Sequence, residues 1–169
     1  MPQYHGYSYP EGKNSVRDFL WYNLKPGAKI LDVGAGGGTY RHLLGGIYKW
    51  DAVEVWEPSA RFIITWYDRV FGCDIRDFQY TEDYDLIIFG DILEHLSVED
   101  AQRVLKEASR HSKAVLVAVP YCLPQEAING NEAERHLQPD LTHTIFNERY
   151  PGFKRIHGSK YYGYYYRKN

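Results

Sequence analysis

Five short apolar runs, separated by polar or amphipathic segments, constrain the fold of this chain more than any other feature. Their residues are apolar almost without interruption, which is typical of parallel strands buried on both faces. The runs are AKILDV at 28–33, DAVEVW at 51–56, VFGCD at 70–74, YDLIIFG at 84–90 and AVLVAVP at 114–120. Because helical patterns lie between them, the sequence predicts an α/β fold, with a doubly wound, mostly parallel sheet in a three-layer αβα sandwich.

Helices are predicted from apolar spacing and capping signals. Asn14 or Ser15 is a candidate cap for a first helix that ends near Leu24, and Ser97 with Asp100 resembles a capping box. The remaining helices are expected at about 39–44, 58–70 and 140–149. FKRIHG (153–158) and YYGYYYRK (161–168) predict an antiparallel C-terminal hairpin that closes one sheet edge. The sheet would then have seven strands in a single domain spanning 1–169, with 1–13 irregular.

Size and composition favour a soluble, cytoplasmic protein. The chain has 169 residues, of which 44% are hydrophobic, enough for one real core. No apolar run approaches the roughly 20 residues of a membrane helix, and MPQYHGYSYPEG lacks a secretory apolar region. The sequence therefore gives no sign of a membrane partner.

The stretch KILDVGAGGGTYRHLL (29–44) indicates a ligand site. Four glycines follow the first predicted strand, where the ligands of such sheets bind, and the helix after them presents free N–H groups. No lysine follows, which excludes a P-loop, and Thr39 replaces the last glycine of the strict dinucleotide fingerprint. The pattern that remains is D-x-G-x-G-x-G, formed by Asp32, Gly34, Gly36 and Gly38.

This pattern resembles motif I of the class I S-adenosylmethionine-dependent methyltransferases. Three later segments, in order and at suitable spacing, are similar to that family: Glu57-Pro58-Ser59, CDIRDF (73–78) and YDLIIFGDILEHL (84–96). The resemblance covers roughly 28–120. It implies a Rossmann-like fold, S-adenosylmethionine as cofactor and S-adenosylhomocysteine as product.

The resemblance also implies cofactor-binding roles. Gly34, Ala35, Gly36 and Gly38 would cradle the methionine carboxylate, and Asp32 would favour its ammonium. Glu57, at the expected end of the second strand, would hold the ribose. Asp74 and Ile75 would meet the adenine, and the main chain at Gly90 and Asp91 would flank the methionine portion.

His95, with Asp91 beside it, is the candidate catalytic base near the methyl group. A structural role for Glu94 and His95, fixing the loop after strand four, is the alternative. The preferred interpretation assigns no metal. A second alternative is a divalent-metal site of Asp91, Glu94 and His95 with His136 or His143, because a few branches of the family have a similar motif.

The acceptor is expected to be an oxygen or nitrogen atom of a small molecule. No [DN]PP[YF] and no Pro-Cys follows strand four, so the usual base-methylation motifs are missing. The loop 121–139 and the N-terminal Tyr4, His5, Tyr7 and Tyr9 are the segments available to cover a substrate. An open site would require a large acceptor or closure in a homodimer.

Three rival interpretations remain. One is a nicotinamide-dependent oxidoreductase; another is a non-catalytic, cofactor-binding member of the family. The third is an RNA-directed methyltransferase that uses the C-terminal tail, since six Lys or Arg and no acid follow from Arg149 onward. A net charge of −2 argues against nucleic acid as the main partner, and a solvated hairpin face is the simpler explanation of that run.

Overall fold

The computed structural model describes residues 10–169, which form a seven-stranded sheet flanked by helices. The strands are β1 (Lys29–Val33), β2 (Lys49–Val53), β3 (Arg69–Phe71), β4 (Leu86–Gly90), β5 (Ala114–Pro120), β6 (Lys154–Gly158) and β7 (Tyr162–Lys168). Their order is β3-β2-β1-β4-β5-β7-β6; β1 to β5 pair in parallel, and β7 pairs antiparallel with both β5 and β6. The predicted fold class is confirmed.

The helices of this part of the chain are α1 (Lys13–Asn23), α2 (Thr39–Leu44), α3 (Glu57–Ile63), α4 (Val98–Arg110) and α5 (His143–Arg149). Two short 3₁₀ turns, Leu93–His95 and Glu132–Glu134, complete the regular structure. Among the described helices, none is both long and apolar enough to cross a membrane.

Both faces of the sheet are buried, which explains the continuous apolar runs. Successive strand residues point to opposite faces, and Leu86, Ile87, Ile88 and Phe89 in β4 are all fully buried. One face packs against α4 and α5, and the other against α1, α2 and α3.

Helix α4 forms as its sequence predicts. The Ser97 hydroxyl accepts a hydrogen bond from the Asp100 N–H at 3.1 Å, which satisfies a backbone donor at the start of the helix. The predicted apolar residues Ala101, Val104, Leu105 and Ala108 are buried against the sheet.

Two element boundaries differ from the predictions in ways that affect the site. Helix α1 begins at Lys13, after Gly12 in a left-handed conformation (φ 78°), rather than at a cap by Asn14 or Ser15. Strand β2 ends at Val53, three residues before the predicted end, and Glu57 is the first residue of α3. The prediction that Glu57 ends the second strand is therefore wrong.

Strand β7 lies inside the sheet, between β5 and β6. Its Tyr162, Tyr164 and Tyr165 are buried, with exposed fractions of 2%, 0% and 0%. The solvated hairpin face that explains the basic run therefore does not include these tyrosines, because an interior strand contributes both of its faces to the core.

Candidate functional site

A cavity of about 320 Å³ opens at the carboxyl ends of β1, β2 and β4. Its walls are the glycine turn after β1, the segment after β2, and the turn after β4. The loop 121–139 and Tyr162 complete the lining. The cavity thus lies where ligands bind in open α/β sheets.

The glycine turn needs residues without a side chain. Gly34, Gly36 and Gly38 have φ angles of 65°, 51° and 75°, in the left-handed region that favours glycine. A Cβ atom added to Gly34 would lie 1.9 Å from the Ile92 side chain. Gly34, Ala35 and Gly36 line the cavity as predicted, whereas Gly38 precedes α2 and packs beside Trp66.

Hydrogen bonds to the Glu54 side chain connect the glycine turn to the segment that follows β2. Its side chain is buried, and its two carboxylate oxygens accept hydrogen bonds from the Gly36 N–H and the Trp56 N–H, each at 2.8 Å. Burial raises the pKa of Glu54, and the backbone N–H donors oppose that shift. This acid was not among the predicted site residues, although it directly follows the last residue of β2 and lines the cavity.

Glu57 lies away from the cavity lining. Its side chain is 72% exposed and pairs with Arg61 one helical turn later on α3. The shorter β2 is the reason, since the chain has already turned into α3 at this residue. The predicted placement of Glu57 in the pocket is wrong.

Asp32, Asp74 and Ile75 also lie outside the cavity lining. Asp32 is buried beneath the turn, where it accepts a hydrogen bond from the Tyr67 hydroxyl at 2.7 Å, and burial raises its pKa to about 7. The Asp74 carboxylate is bound by the Arg76 guanidinium at 2.6 and 3.0 Å, which lowers the pKa of Asp74.

Gly90 and Asp91 line the cavity where β4 ends, as predicted. A Cβ atom on Gly90 would lie 2.2 Å from the Tyr40 ring, so the main chain at Gly90 packs directly against that ring and leaves no room for a side chain. Asp91 has a φ of 59°, a strained conformation for a non-glycine residue. The Tyr162 hydroxyl donates a hydrogen bond to its carboxylate.

Glu94, His95 and His136 converge on the same cavity. Glu94 is 1% exposed, and its Oε2 atom has no hydrogen-bond partner among the described residues. The Nδ1 atoms of His95 and His136 lie 3.2 Å and 2.6 Å from the carbonyl oxygens of Arg135 and Leu123. A neutral ring in this position donates from Nδ1 and keeps a lone pair on Nε2. The pKa of His95 is lowered to about 4, mainly by burial and secondly by the neighbouring His136.

One side-chain oxygen or nitrogen atom from each of these three residues can lie within 4.8 Å of the others, close enough to hold one metal ion. The other two residues of the metal alternative are engaged elsewhere. Asp91 accepts from Tyr162, and the His143 Nδ1 lies 2.9 Å from the Tyr165 hydroxyl.

Gln138, which was not among the predicted site residues, connects the Leu93–His95 turn to the loop 121–139 by hydrogen bonds. Its amide N–H₂ donates to the carbonyls of Leu93 and Leu96 at 2.7 and 3.0 Å, and its carbonyl oxygen accepts from the Tyr150 hydroxyl at 2.7 Å. This buried amide fixes the turn that carries His95.

Residues of the loop 121–139 line the cavity, while the N-terminal Tyr4, His5, Tyr7 and Tyr9 lie outside the described residues. Within the described part of the chain, no Lys or Arg lines the cavity, whereas Glu54, Asp91, Glu94 and Glu134 do. Acids in a low-dielectric cleft attract cationic ligands.

No protein-family model and no curated protein sequence matches the chain. Solved structures do. An S-adenosylmethionine-dependent methyltransferase from Clostridium acetobutylicum is 13% identical, with 95% and 92% of the two chains covered and a TM-score of 0.67. The N-methyltransferase NodS from Bradyrhizobium japonicum with S-adenosylhomocysteine is 11% identical (93% and 85% covered, TM-score 0.67).

A third similar structure is the Burkholderia thailandensis 1,6-didemethyltoxoflavin-N1-methyltransferase with 1,6-didemethyltoxoflavin and S-adenosylhomocysteine bound. It is 15% identical, with 94% of this chain and 78% of that chain covered and a TM-score of 0.66. The chain has the Rossmann-like fold of the class I methyltransferases.

Proposed function

We propose that this chain is an S-adenosylmethionine-dependent methyltransferase that methylates an oxygen or nitrogen atom of a small molecule. The observation that carries the proposal is the Gly36 N–H bonded to buried Glu54 in the wall of the cavity. Two similar structures contain S-adenosylhomocysteine, and one of these also holds a small-molecule acceptor. The same fold also serves other chemistry, so the site has to carry the argument.

Glu54, rather than Glu57, is the residue that we assign to the ribose. Its two oxygens accept the Gly36 and Trp56 N–H groups, and a carboxylate has about four lone pairs, so acceptor capacity remains for hydroxyl donors. The glycine turn would meet the methionine carboxylate with its backbone. The adenine role of Asp74 and Ile75 requires the Asp74 carboxylate to leave Arg76 or to bind through its remaining lone pairs.

When bound, S-adenosylmethionine supplies a methyl group already activated on a sulfonium. The chain then has to align the acceptor, and effective molarity contributes about 7–11 kcal/mol of barrier reduction in such reactions. The Nε2 lone pair of His95 would take the proton of the acceptor, worth roughly 10²–10⁴ in rate. Asp91, whose carboxylate accepts a hydrogen bond from the Tyr162 hydroxyl, would help to orient the reacting groups.

Titration calorimetry with S-adenosylmethionine, S-adenosylhomocysteine and NAD tests the proposal. We expect both adenosyl ligands to bind and NAD not to bind; binding of NAD alone would favour the oxidoreductase interpretation. Turnover in a screen of small-molecule acceptors separates an enzyme from a non-catalytic binding protein. Deletion of 161–169 cannot test the RNA interpretation, because it removes the interior strand β7.

Metal-assisted methyl transfer is a second candidate, favoured by the unpartnered Oε2 of buried Glu94 beside two imidazoles. Two imidazoles and one carboxylate suit Zn²⁺ or a first-row transition metal better than Mg²⁺, which prefers oxygen ligands. Metal analysis of the purified protein and of the variant His136→Gln tests it. Bound metal that is lost in the variant supports this candidate, whereas metal-free protein with activity unchanged by EDTA excludes it.

A further inference from the structure

A second cavity, of about 560 Å³, lies toward the amino ends of the parallel strands, away from the glycine turn. It is formed by the outer side of α4, the residues that follow α5, and the end of β7. Arg167 on β7 pairs with Val115, near the amino end of β5, whereas the glycine turn follows the carboxyl end of β1. The two cavities therefore share no residue.

We infer that this cleft, defined by Lys106, Arg110, Arg149 and Arg167, binds a small phosphorylated molecule. These four cationic side chains line it, and no Asp or Glu of the described residues does. The cleft thereby accounts for part of the basic run from Arg149 to the end of the sequence, which the methyl-transfer site leaves unused. The inference does not depend on the proposed methyltransferase activity.

Two of the four charges are already neutralised. The Arg149 guanidinium binds the Asp140 carboxylate at 2.9 and 2.5 Å, and Arg110 pairs with Glu107. These pairs reduce the charge available to a ligand.

Lys106 and Arg167 form no ion pair with any carboxylate in residues 10–169. Lys106 is exposed on α4, one helical turn before Arg110, and its ammonium can move into the cleft. The cleft therefore holds two cations that lack a counter-ion, one at the surface and one at depth.

Arg167 is the deeper cation. Its guanidinium lies 4.3 Å from the centre of the Phe153 ring and donates to the Ser109 hydroxyl and, at 3.5 Å, to the Pro151 carbonyl. A guanidinium has five N–H donors, so these two bonds leave several for a ligand. Burial lowers the pKa of Arg167, which shows that its charge is partly desolvated. A desolvated cation without an anion is costly, and a bound anion would remove that cost.

Phosphate fits this arrangement better than a carboxylate or a nucleic acid backbone does. A planar guanidinium can bind two phosphate oxygens at once, and a nearby ammonium can take a third. The volume lies within the range of ordinary small-ligand pockets. A polynucleotide needs an extended, exposed basic track, whereas Arg167 is half-buried and two of the four cations that line the cleft already pair with carboxylates.

Calorimetry and thermal melting with inorganic phosphate and pyrophosphate test the inference, with chloride at matched ionic strength as the salt control. The variants are Arg167→Gln and Lys106→Gln, and Lys168→Gln is the matched control, since Lys168 is the exposed neighbour on β7 outside the cleft. We expect pyrophosphate to raise the melting temperature of the wild type. Its Kd should weaken at least tenfold in Arg167→Gln and several-fold in Lys106→Gln, but stay unchanged in Lys168→Gln.

The inference is overturned if chloride stabilises the protein as much as pyrophosphate does, or if Arg167→Gln binds like the wild type. A single-stranded RNA that binds more tightly than pyrophosphate, with equal loss in all three variants, would replace the small ligand with a nucleic acid. Should Arg167→Gln fail to fold, Lys106→Gln decides: reduced affinity supports the cleft, and unchanged affinity overturns it.

Discussion

The assignment of the ribose to Glu54 rather than Glu57 gives a paired test. Both are glutamates within one short segment, and both change to glutamine without a change in shape. Glu54 is buried and accepts two backbone N–H bonds, whereas the Glu57 side chain is 72% exposed. The variants Glu54→Gln and Glu57→Gln therefore differ in environment and not in chemistry.

The expected magnitudes follow from those contacts. An amide in place of the Glu54 carboxylate keeps one acceptor oxygen and directs its N–H₂ at a second backbone or ribose donor. Each hydrogen bond to a charged group is worth about 1.5–3 kcal/mol, so S-adenosylhomocysteine should bind roughly 10–150-fold more weakly. The exposed Glu57–Arg61 pair contributes about 0.3–0.5 kcal/mol, and its loss should leave ligand affinity unchanged.

Calorimetric titration with S-adenosylhomocysteine, together with thermal melting of each ligand-free variant, measures both effects. A melting curve close to that of the wild type shows that weaker binding in Glu54→Gln is not caused by unfolding. If Glu57→Gln weakens binding and Glu54→Gln does not, the assignment to Glu54 is refuted and the original sequence prediction is restored.

Three further outcomes are expected. The pKa of Asp32 is about 7 in the folded protein, above its unfolded value. The contribution of Asp32 to the free energy of unfolding should therefore fall by up to ~4 kcal/mol as the pH rises from about 4 to about 7. Urea titrations at several pH values should show that Asp32→Asn removes this contribution. Gly34→Ala should lower the melting temperature more than Gly45→Ala. Both glycines have positive φ, but a Cβ atom at Gly34 would collide with the Ile92 side chain, whereas one at Gly45 would have no neighbour within 4 Å. Gln138→Leu should cost about 3 kcal/mol or more, because it removes two bonds to the Leu93 and Leu96 carbonyls and the acceptor of the buried Tyr150 hydroxyl. The exposed Gln102→Leu should change stability by less than about 0.5 kcal/mol in the same titration.

The central strands and α4 were predictable because burial alone determines them. Strand β5 occupies the predicted 114–120, since a strand covered on both faces requires apolar residues throughout. Helix α2 occupies the predicted 39–44, between glycines that have positive φ angles at both ends. In these elements, local pattern and tertiary packing favour the same structure.

The end of β2 could not be predicted because the apolar pattern continues beyond it. Val55 and Trp56 extend the run, yet both follow the strand and line the cavity. Val55 is 49% exposed. A cavity wall and a buried strand use the same residue types, so pattern alone placed the strand end at the wrong acid.

The local sequence pattern could not predict the contacts of His95, for a different reason. His136 reaches His95 only because the long loop folds back over the turn, with the Leu137 and Gln138 N–H groups bonded to the Glu94 carbonyl at 2.7 and 3.0 Å. Irregular loops have no periodicity from which such a contact can be read. The metal alternative named His136 or His143 beside Glu94 and His95, and the fold of the loop is what brings His136 to the turn while His143 lies against Tyr165.

The bonds of Glu54 also bear on how the site binds a ligand. Both carboxylate oxygens bind backbone donors of the protein itself, one from the glycine turn and one from the residues after β2. A side chain fixed in this way loses little rotamer freedom when a ligand arrives, and such ordering otherwise costs about 0.5–1.5 kcal/mol per side chain. The acid therefore braces the glycine turn with its orientation already set. On the proposed ribose role, Glu54→Gln should weaken ligand binding, and the melting curve of the variant measures how much the turn itself is destabilised.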